Sequence, residues 1–297
     1  MIALSISNGI FVAMVTPFIG ETINRDAIAR LLEFYKTKRL HGVLVCGSTG
    51  EAHLMSKEEI KETIEIVVNF TPGNLKVIAG IVRSSTTEAM EIAKFSEDVG
   101  ADAILALTPY YYSYKERGII EHYKSIRKSV DISLLLYNAP LFTGYNIKPE
   151  LVAKMLNEGI IDGIKDTTTS LDHLSHILLE NERKDAAIFV GTSLVFLPAL
   201  AVGVSGGILA SANYAPEVVL EVYENWISGK LKGAHESFAK LIALSKAVEV
   251  YGIPGIKAAM DIRGLPVGNP RSPLVELEND EKRLIRKHLE KIAGITY

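Results

Sequence analysis

The chain has 297 residues, 48% of them hydrophobic and 23% charged, and a net charge of −3. That balance suits a soluble globular protein and gives no basic footprint for nucleic acid or an anionic membrane. The single cysteine, Cys46, excludes an internal disulfide framework and suits a reducing, cytoplasmic setting, while the absence of glutamine beside abundant Ile, Lys and Glu leans toward a thermophilic source.

The first segment, MIALSISNGIFVAMVTPF, is apolar but lacks the basic start and small-residue cleavage site of a signal peptide. From there, apolar runs rich in Val and Ile alternate with amphipathic patterns. Continuous apolar runs of this kind suit parallel strands covered on both faces. Eight are readable: IFVAMVTPF (10–18), GVLVCGST (42–49), LKVIAGIV (75–82), AILALTPYYY (103–112), ISLLLYNAP (132–140), IIDGIKDTT (160–168), AAIFVGTS (186–193) and VSGGILAS (204–211). Between them, RDAIARLLEFYKTK, SKEEIKETIEIVVNF and STTEAMEIAKFSEDVG carry apolar residues at three- and four-residue steps. Ser56 and Glu59 predict a capping box, and Gly100 a helix stop.

Residues 186–216 carry no charge, which is long enough to suggest a membrane span. Gly191, Pro198, Gly203, Gly206 and Gly207 instead divide the run into strand, short helix and strand. Eight alternating units predict an α/β fold, a (β/α)8 TIM barrel, rather than an open doubly wound sheet. Neither GxGxxG nor GxxxxGK[ST] is present. The barrel is expected over residues 1–215, closed by a helix at about 216–229, with residues 230–297 forming a C-terminal helical extension packed on it.

Barrel active sites form where the strands end. Those ends offer Thr16, the GSTGE segment (47–51), Thr108 and three tyrosines (110–112), Tyr137–Asn138, Lys165, Thr192–Ser193, Ser211 and Asn213. No metal set is legible: His173 and His176 lie three apart on a helix without a third ligand and read as a solvated face. The paired carboxylates of a glycosidase are also missing. Lys165 is by default a surface ion-pair partner, the tyrosines core or interface aromatics, and Glu51 a charge at the start of the next helix. Placement at a barrel's strand ends favours chemistry instead. A desolvated lysine becomes nucleophilic and can form an imine with a ketone, while a phenol moves protons and hydroxyls hold a carboxylate.

GSTGE after the second run, TPYYY after the fourth, YNAP…TG after the fifth and GIKD on the sixth together resemble the dihydrodipicolinate synthase/N-acetylneuraminate lyase family, the class I pyruvate aldolases. The likeness runs from about residue 8 to the GLPVGNPRSPL segment. It implies that Lys165 forms the Schiff base, that Tyr137 shuttles protons, and that Ser48 and Thr49 bind the carboxylate and link Tyr137 to Tyr111. It further implies that Tyr111 reaches the site of an adjacent subunit in a dimer, or a tetramer built as a dimer of dimers, and that the backbone carbonyl of Ile208 faces the substrate. No metal or organic cofactor is implied; the partner is pyruvate or another 2-keto acid.

Departures from the pattern bear on the substrate. The resemblance places an arginine at position 142 in dihydrodipicolinate synthases, where it would grip a carboxylate by a bidentate pair. This chain has Phe142, and losing a charge-assisted contact of that kind costs about 1.5–3 kcal/mol. Lys148 and Arg83 are the candidate substitutes. Thr192 and Ser193 stand where neuraminate lyases carry a tyrosine–aspartate–glutamate run. The expectation is therefore a lyase cleaving or forming the C3–C4 bond of a 2-keto-3-deoxy sugar acid, with Phe142, Thr192 and Ser193 lining the substrate. The alternatives are 4-hydroxy-tetrahydrodipicolinate synthase, N-acetylneuraminate lyase, or a non-catalytic keto-acid-binding barrel.

Overall fold

A computed structural model of the chain describes residues 6–265 and 267–293. Eight parallel strands close into a barrel: β1 (Gly9–Ala13), β2 (Gly42–Val45), β3 (Lys76–Ile81), β4 (Ala103–Leu107), β5 (Ser133–Asn138), β6 (Gly163–Asp166), β7 (Ala187–Val190) and β8 (Gly206–Leu209). Each strand pairs with its sequence neighbour, and β1 closes the ring by pairing with both β8 and β2. Every predicted strand is present but shorter than its apolar run. The runs continue past the ladder because the strand ends feed buried loops, such as Met14–Pro17, whose side chains stay buried after the backbone has left the sheet.

The helices of the outer layer are α1 (Arg25–Thr37), α2 (Lys57–Phe70), α3 (Thr86–Asp98), α4 (Glu116–Ser129), α5 (Pro149–Asn157), α6 (Leu171–Glu180), α7 (Phe196–Val202) and α8 (Pro216–Ile227). α2 begins with the capping box read from Ser56 and Glu59, and α3 gives way to Gly100 at φ +96. The charge-free run 186–216 folds as β7, α7 and β8, and among the described residues no helix is long and apolar enough to cross a membrane. Gly206 shows how tightly the ring closes: it holds φ +152, and a Cβ there would lie 2.0 Å from the Gly9 carbonyl oxygen.

Beyond α8 the chain adds α9 (Leu231–Val248), α10 (Gly252–Ile262) and α11 (Asn279–Ala293). α9 packs on α8, and α11 on both α9 and α10. This extension is tied into the barrel by charge. Lys257 Nζ on α10 lies 2.6 Å from Glu51 Oε1, with the two side chains 2% and 0% exposed. The Arg271 backbone N–H donates to the other Glu51 oxygen at 2.7 Å, and Lys257 also donates to the Asn269 carbonyl at 3.1 Å. Both cations stack on Phe18, Lys257 at 4.6 Å and Arg271 at 4.2 Å from the ring centre. Glu51 does precede a short 3-10 turn, Ala52–Leu54, but its side chain makes no cap hydrogen bond there. Its backbone is left-handed (φ 58), turning the carboxylate inward to the C-terminal extension.

Removing one partner of a buried ion pair leaves the other charge uncompensated, at a cost of about 3–5 kcal/mol. Lys257→Met is accordingly expected to lower unfolding free energy by about that amount in urea titration; a loss under about 1 kcal/mol would mean that Glu51 finds other donors.

Candidate active site

Strands β5 and β6 run side by side in a register that pairs Tyr137 with Lys165 and Asn138 with Asp166. Side chains alternate along a strand, so the first pair shares one face and the second pair the other. On the inner face, Lys165 is 4% exposed and its Nζ stands 4.6 Å from the centre of the Tyr137 ring. Burial disfavours the ammonium form and brings the amine down to about 7. The same burial raises the Tyr137 phenol, partly offset by its hydrogen bond with Ser48, so the phenol is a proton donor at neutral pH. Space beside the amine is kept by Gly191, just past β7: a Cβ there would come within 2.8 Å of Lys165 Cε and 2.3 Å of Thr167 Cγ2.

Ser48 Oγ lies 3.3 Å from Tyr137 Oη, joining the β2 turn to β5. That turn is wound tightly: Gly50 N–H donates to the Gly47 carbonyl at 3.1 Å and Glu51 N–H to the Ser48 carbonyl at 3.1 Å. Thr16 Oγ1 donates to the Gly50 carbonyl at 2.6 Å, which ties the loop after β1 to the turn. Ser48 and Thr49 are half-buried on it. A buried amine, a protonated phenol and a hydroxyl-bearing turn thus converge, which is what imine formation with a small 2-keto acid needs.

The other sequence candidates sit at varying removes. Ile208 is buried on β8, paired with Phe11. Ser193 Oγ is buried against Ser211 Oγ at 2.8 Å, and Thr192 Oγ1 accepts from the Leu194 N–H at 3.3 Å, so both hydroxyls are engaged locally. Phe142 lies on a short helix, Pro140–Thr143, and is 63% exposed. Tyr111 is 85% exposed at a left-handed φ of 82 and packs edge-on against Tyr112, so it faces outward rather than into the Lys165 pocket of its own chain. The two candidate substitutes for an arginine at 142 are engaged: Arg83 donates to the Ala52, Met55 and Val82 carbonyls, and Lys148 pairs with Glu116 at 2.7 Å. Among the described residues, no group of three or more His, Cys, Asp and Glu side chains is placed to hold a metal ion.

Behind the inner pair lies a network that the sequence reading missed. Asp166 is fully buried; its Oδ2 accepts from Asn138 Nδ2 at 2.8 Å, and its Oδ1 from the Thr168 N–H at 2.8 Å and the Thr168 hydroxyl at 2.5 Å. His173 closes the network. It is 6% exposed, its Nε2 meets the Ile147 carbonyl at 2.8 Å, and its Nδ1 lies 3.1 Å from Asp166 Oδ2. Reading His173 as part of a solvated face was wrong; only His176 is exposed, facing Asp172 at 3.7 Å. The available signal was periodicity: His173 shares the buried stripe of α6 with Leu174 and Ile177, seven residues after a lysine-bearing strand ends in Asp166.

Residues 6–292 match the dihydrodipicolinate synthetase family. A 4-hydroxy-tetrahydrodipicolinate synthase of Methanopyrus kandleri is 39% identical over 294 residues, covering 96% of each chain. One from Clostridium tetani is 34% identical over 296 residues, covering 98% of this chain and 100% of that one. Among solved structures, dihydrodipicolinate synthase from Aquifex aeolicus superposes with a TM-score of 0.91 at 31% identity, covering 96% of this chain and 97% of the other.

A lysine with a depressed pKa binds its proton less well folded than unfolded, so protonation penalises the native state. The penalty is full below about 7, shrinks as pH rises toward the ordinary lysine value of 10.5, and is gone above it. Lys165→Met is therefore expected to stabilise the protein more at pH 6 than at pH 9.5, a difference readable by denaturant titration at the two pH values. A pH-independent effect would show that the amine titrates normally.

Proposed function

Because the chain belongs to the dihydrodipicolinate synthetase family, and is thus a pyruvate-dependent carbon–carbon lyase of the class I aldolase type, we propose that it condenses pyruvate with aspartate semialdehyde as a 4-hydroxy-tetrahydrodipicolinate synthase. The observation that carries the chemistry is the buried Lys165 amine against the Tyr137 ring, with Ser48 on the phenol. The curated relatives carry the choice of aldehyde.

In this reading the free amine of Lys165 adds to the C2 ketone of pyruvate, Tyr137 supplies the proton that lets water leave, and an imine remains. Ser48, Thr49 and the N–H groups of their turn hold the carboxylate, and the Ile208 carbonyl faces it. The Tyr137 phenolate left by imine formation takes a proton from the C3 methyl, which gives an enamine. Its C3 attacks the aldehyde carbon, and the new alkoxide takes a proton relayed through Tyr137. The amino group of the aldehyde partner then adds to C2, closes the ring and displaces Lys165 as the free amine. Atoms balance with loss of water and no external oxidant, metal or organic cofactor. The outward Tyr111, held at a left-handed φ, is read as the group lent to a neighbouring copy, which makes the working unit a dimer or a dimer of dimers in the cytoplasm.

The sequence expectation of a sugar-acid substrate rested on Phe142 and on the hydroxyls of Thr192 and Ser193. Phe142 is 63% exposed, and the curated relatives support the aspartate semialdehyde reading instead. The sugar-acid lyase reading keeps one observation in its favour, the absence of a cation at that position.

Incubation with pyruvate and borohydride is expected to leave a reduced adduct on the Lys165 peptide, with none in Lys165→Ala; no adduct in the native chain rejects the imine. Tyr137→Phe is expected to keep the adduct while turnover falls about 10²–10⁴-fold. The specificity constant for aspartate semialdehyde is expected to exceed that for cleavage of 2-keto-3-deoxygluconate, and the reverse order would move the assignment to the sugar acid.

A further inference from the structure

The hydrogen-bond chemistry behind the pocket bears on which protons His173 carries. A carbonyl oxygen can only accept, so Nε2, at 2.8 Å from the Ile147 carbonyl, carries a hydrogen. Nδ1 faces the Asp166 carboxylate at 3.1 Å, where a bare lone pair would be repelled. The carboxylate already takes donors from Asn138 and twice from Thr168, which hold it ionised. A proton on each ring nitrogen, which makes the pair an imidazolium and a carboxylate, is the state this contact favours, although Nδ1 makes no well-aligned hydrogen bond there. The charge balance agrees with this. Burial acts to lower the imidazole's pKa, but Asp166, the Ile147 carbonyl and the charge of Glu150 outweigh it and raise it. Burial likewise acts to raise Asp166, but His173, Thr168 and Asn138 outweigh it and hold it low.

This pair lies directly behind the reacting residues. Asp166 follows Lys165 on β6, and Asn138, its hydrogen-bond donor, follows Tyr137 on β5. An uncompensated carboxylate at that place would favour the ammonium form of its neighbour and withhold the free amine. We propose that His173 is a positioning residue for charge: as an imidazolium it neutralises Asp166, so that the lysine beside it stays an unprotonated nucleophile while the carboxylate still clamps β5 to β6. The other groups facing the pair are few. Glu150 on α5 adds negative charge near His173, Tyr137 on β5 faces Lys165, and Asp172 and His176 on α6 pair with each other at the surface. The proposal concerns the amine assigned to imine formation and rests on that assignment for its functional meaning.

The test reads the amine without any keto acid. Trace acetic anhydride labels the full-length protein across a pH series, and mass spectrometry follows the Lys165 peptide. Labelling of the native chain is expected to be half-maximal near pH 7. In His173→Gln the midpoint should rise by about one unit or more, because Asp166 keeps its other donors and its charge. In the double variant Asp166→Asn with His173→Gln the charge is gone, and the midpoint should return toward the native value. An unmoved midpoint in a folded His173→Gln protein, or a double variant no closer to native than the single one, overturns the proposal. His173→Asn serves if the glutamine variant does not fold, and circular dichroism reports folding for each. The pyruvate–borohydride adduct on the native chain, scored separately, reports whether the imine assignment itself fails.

Discussion

A primary amine inside a protein is stable only as the free base, because taking its ammonium form out of water costs several kcal/mol unless a counter-charge is supplied. The barrel uses that constraint. Lys165 enters the interior from β6 with Tyr137 beside it, and the anion nearest in the chain, Asp166, points to the other face, where it meets His173. Strand alternation therefore performs the separation: one residue of translation carries the carboxylate from the reacting face to the packing face. The arrangement works only if β5 and β6 hold their register, and Asn138 bridging to Asp166 fastens it.

A second buried pair supports the other side of the pocket. The turn that presents Ser48 to Tyr137 ends in Glu51, whose charge is met by Lys257 and by the Arg271 N–H from the C-terminal extension. The extension thus does more than cover apolar surface, because it anchors the turn expected to bind the substrate carboxylate. Buried ion pairs are weak sources of net stability, yet each fixes one geometry, since any other leaves a charge unpaired in a dry place. Both pairs here lie one layer behind a group proposed to face the substrate.

Some features were legible because they depend on local pattern. Continuous Val- and Ile-rich runs marked the eight strands, and the Ser56–Glu59 spacing marked the start of α2. Lys165 stood out because an amine on an apolar strand has few structural uses. His173 and Glu51 did not stand out, because each looks like an ordinary solvated charge until its partner is known. Those partners, Asp166 and Lys257, are brought to them by the barrel's closure and by α10. For Phe142 the residue type was readable, but its exposure was not.

By itself the sequence determined the alternation of strands and helices, the residues that end the strands, and hence the class of chemistry available, because periodicity and side-chain type are properties of short segments. The tertiary structure alone decided the distances between those strand ends, the burial of His173 against Asp166 and the inward turn of Glu51. Each depends on residues far apart in the chain meeting where water is excluded, and no local pattern encodes whether a charge will be left wet or dry.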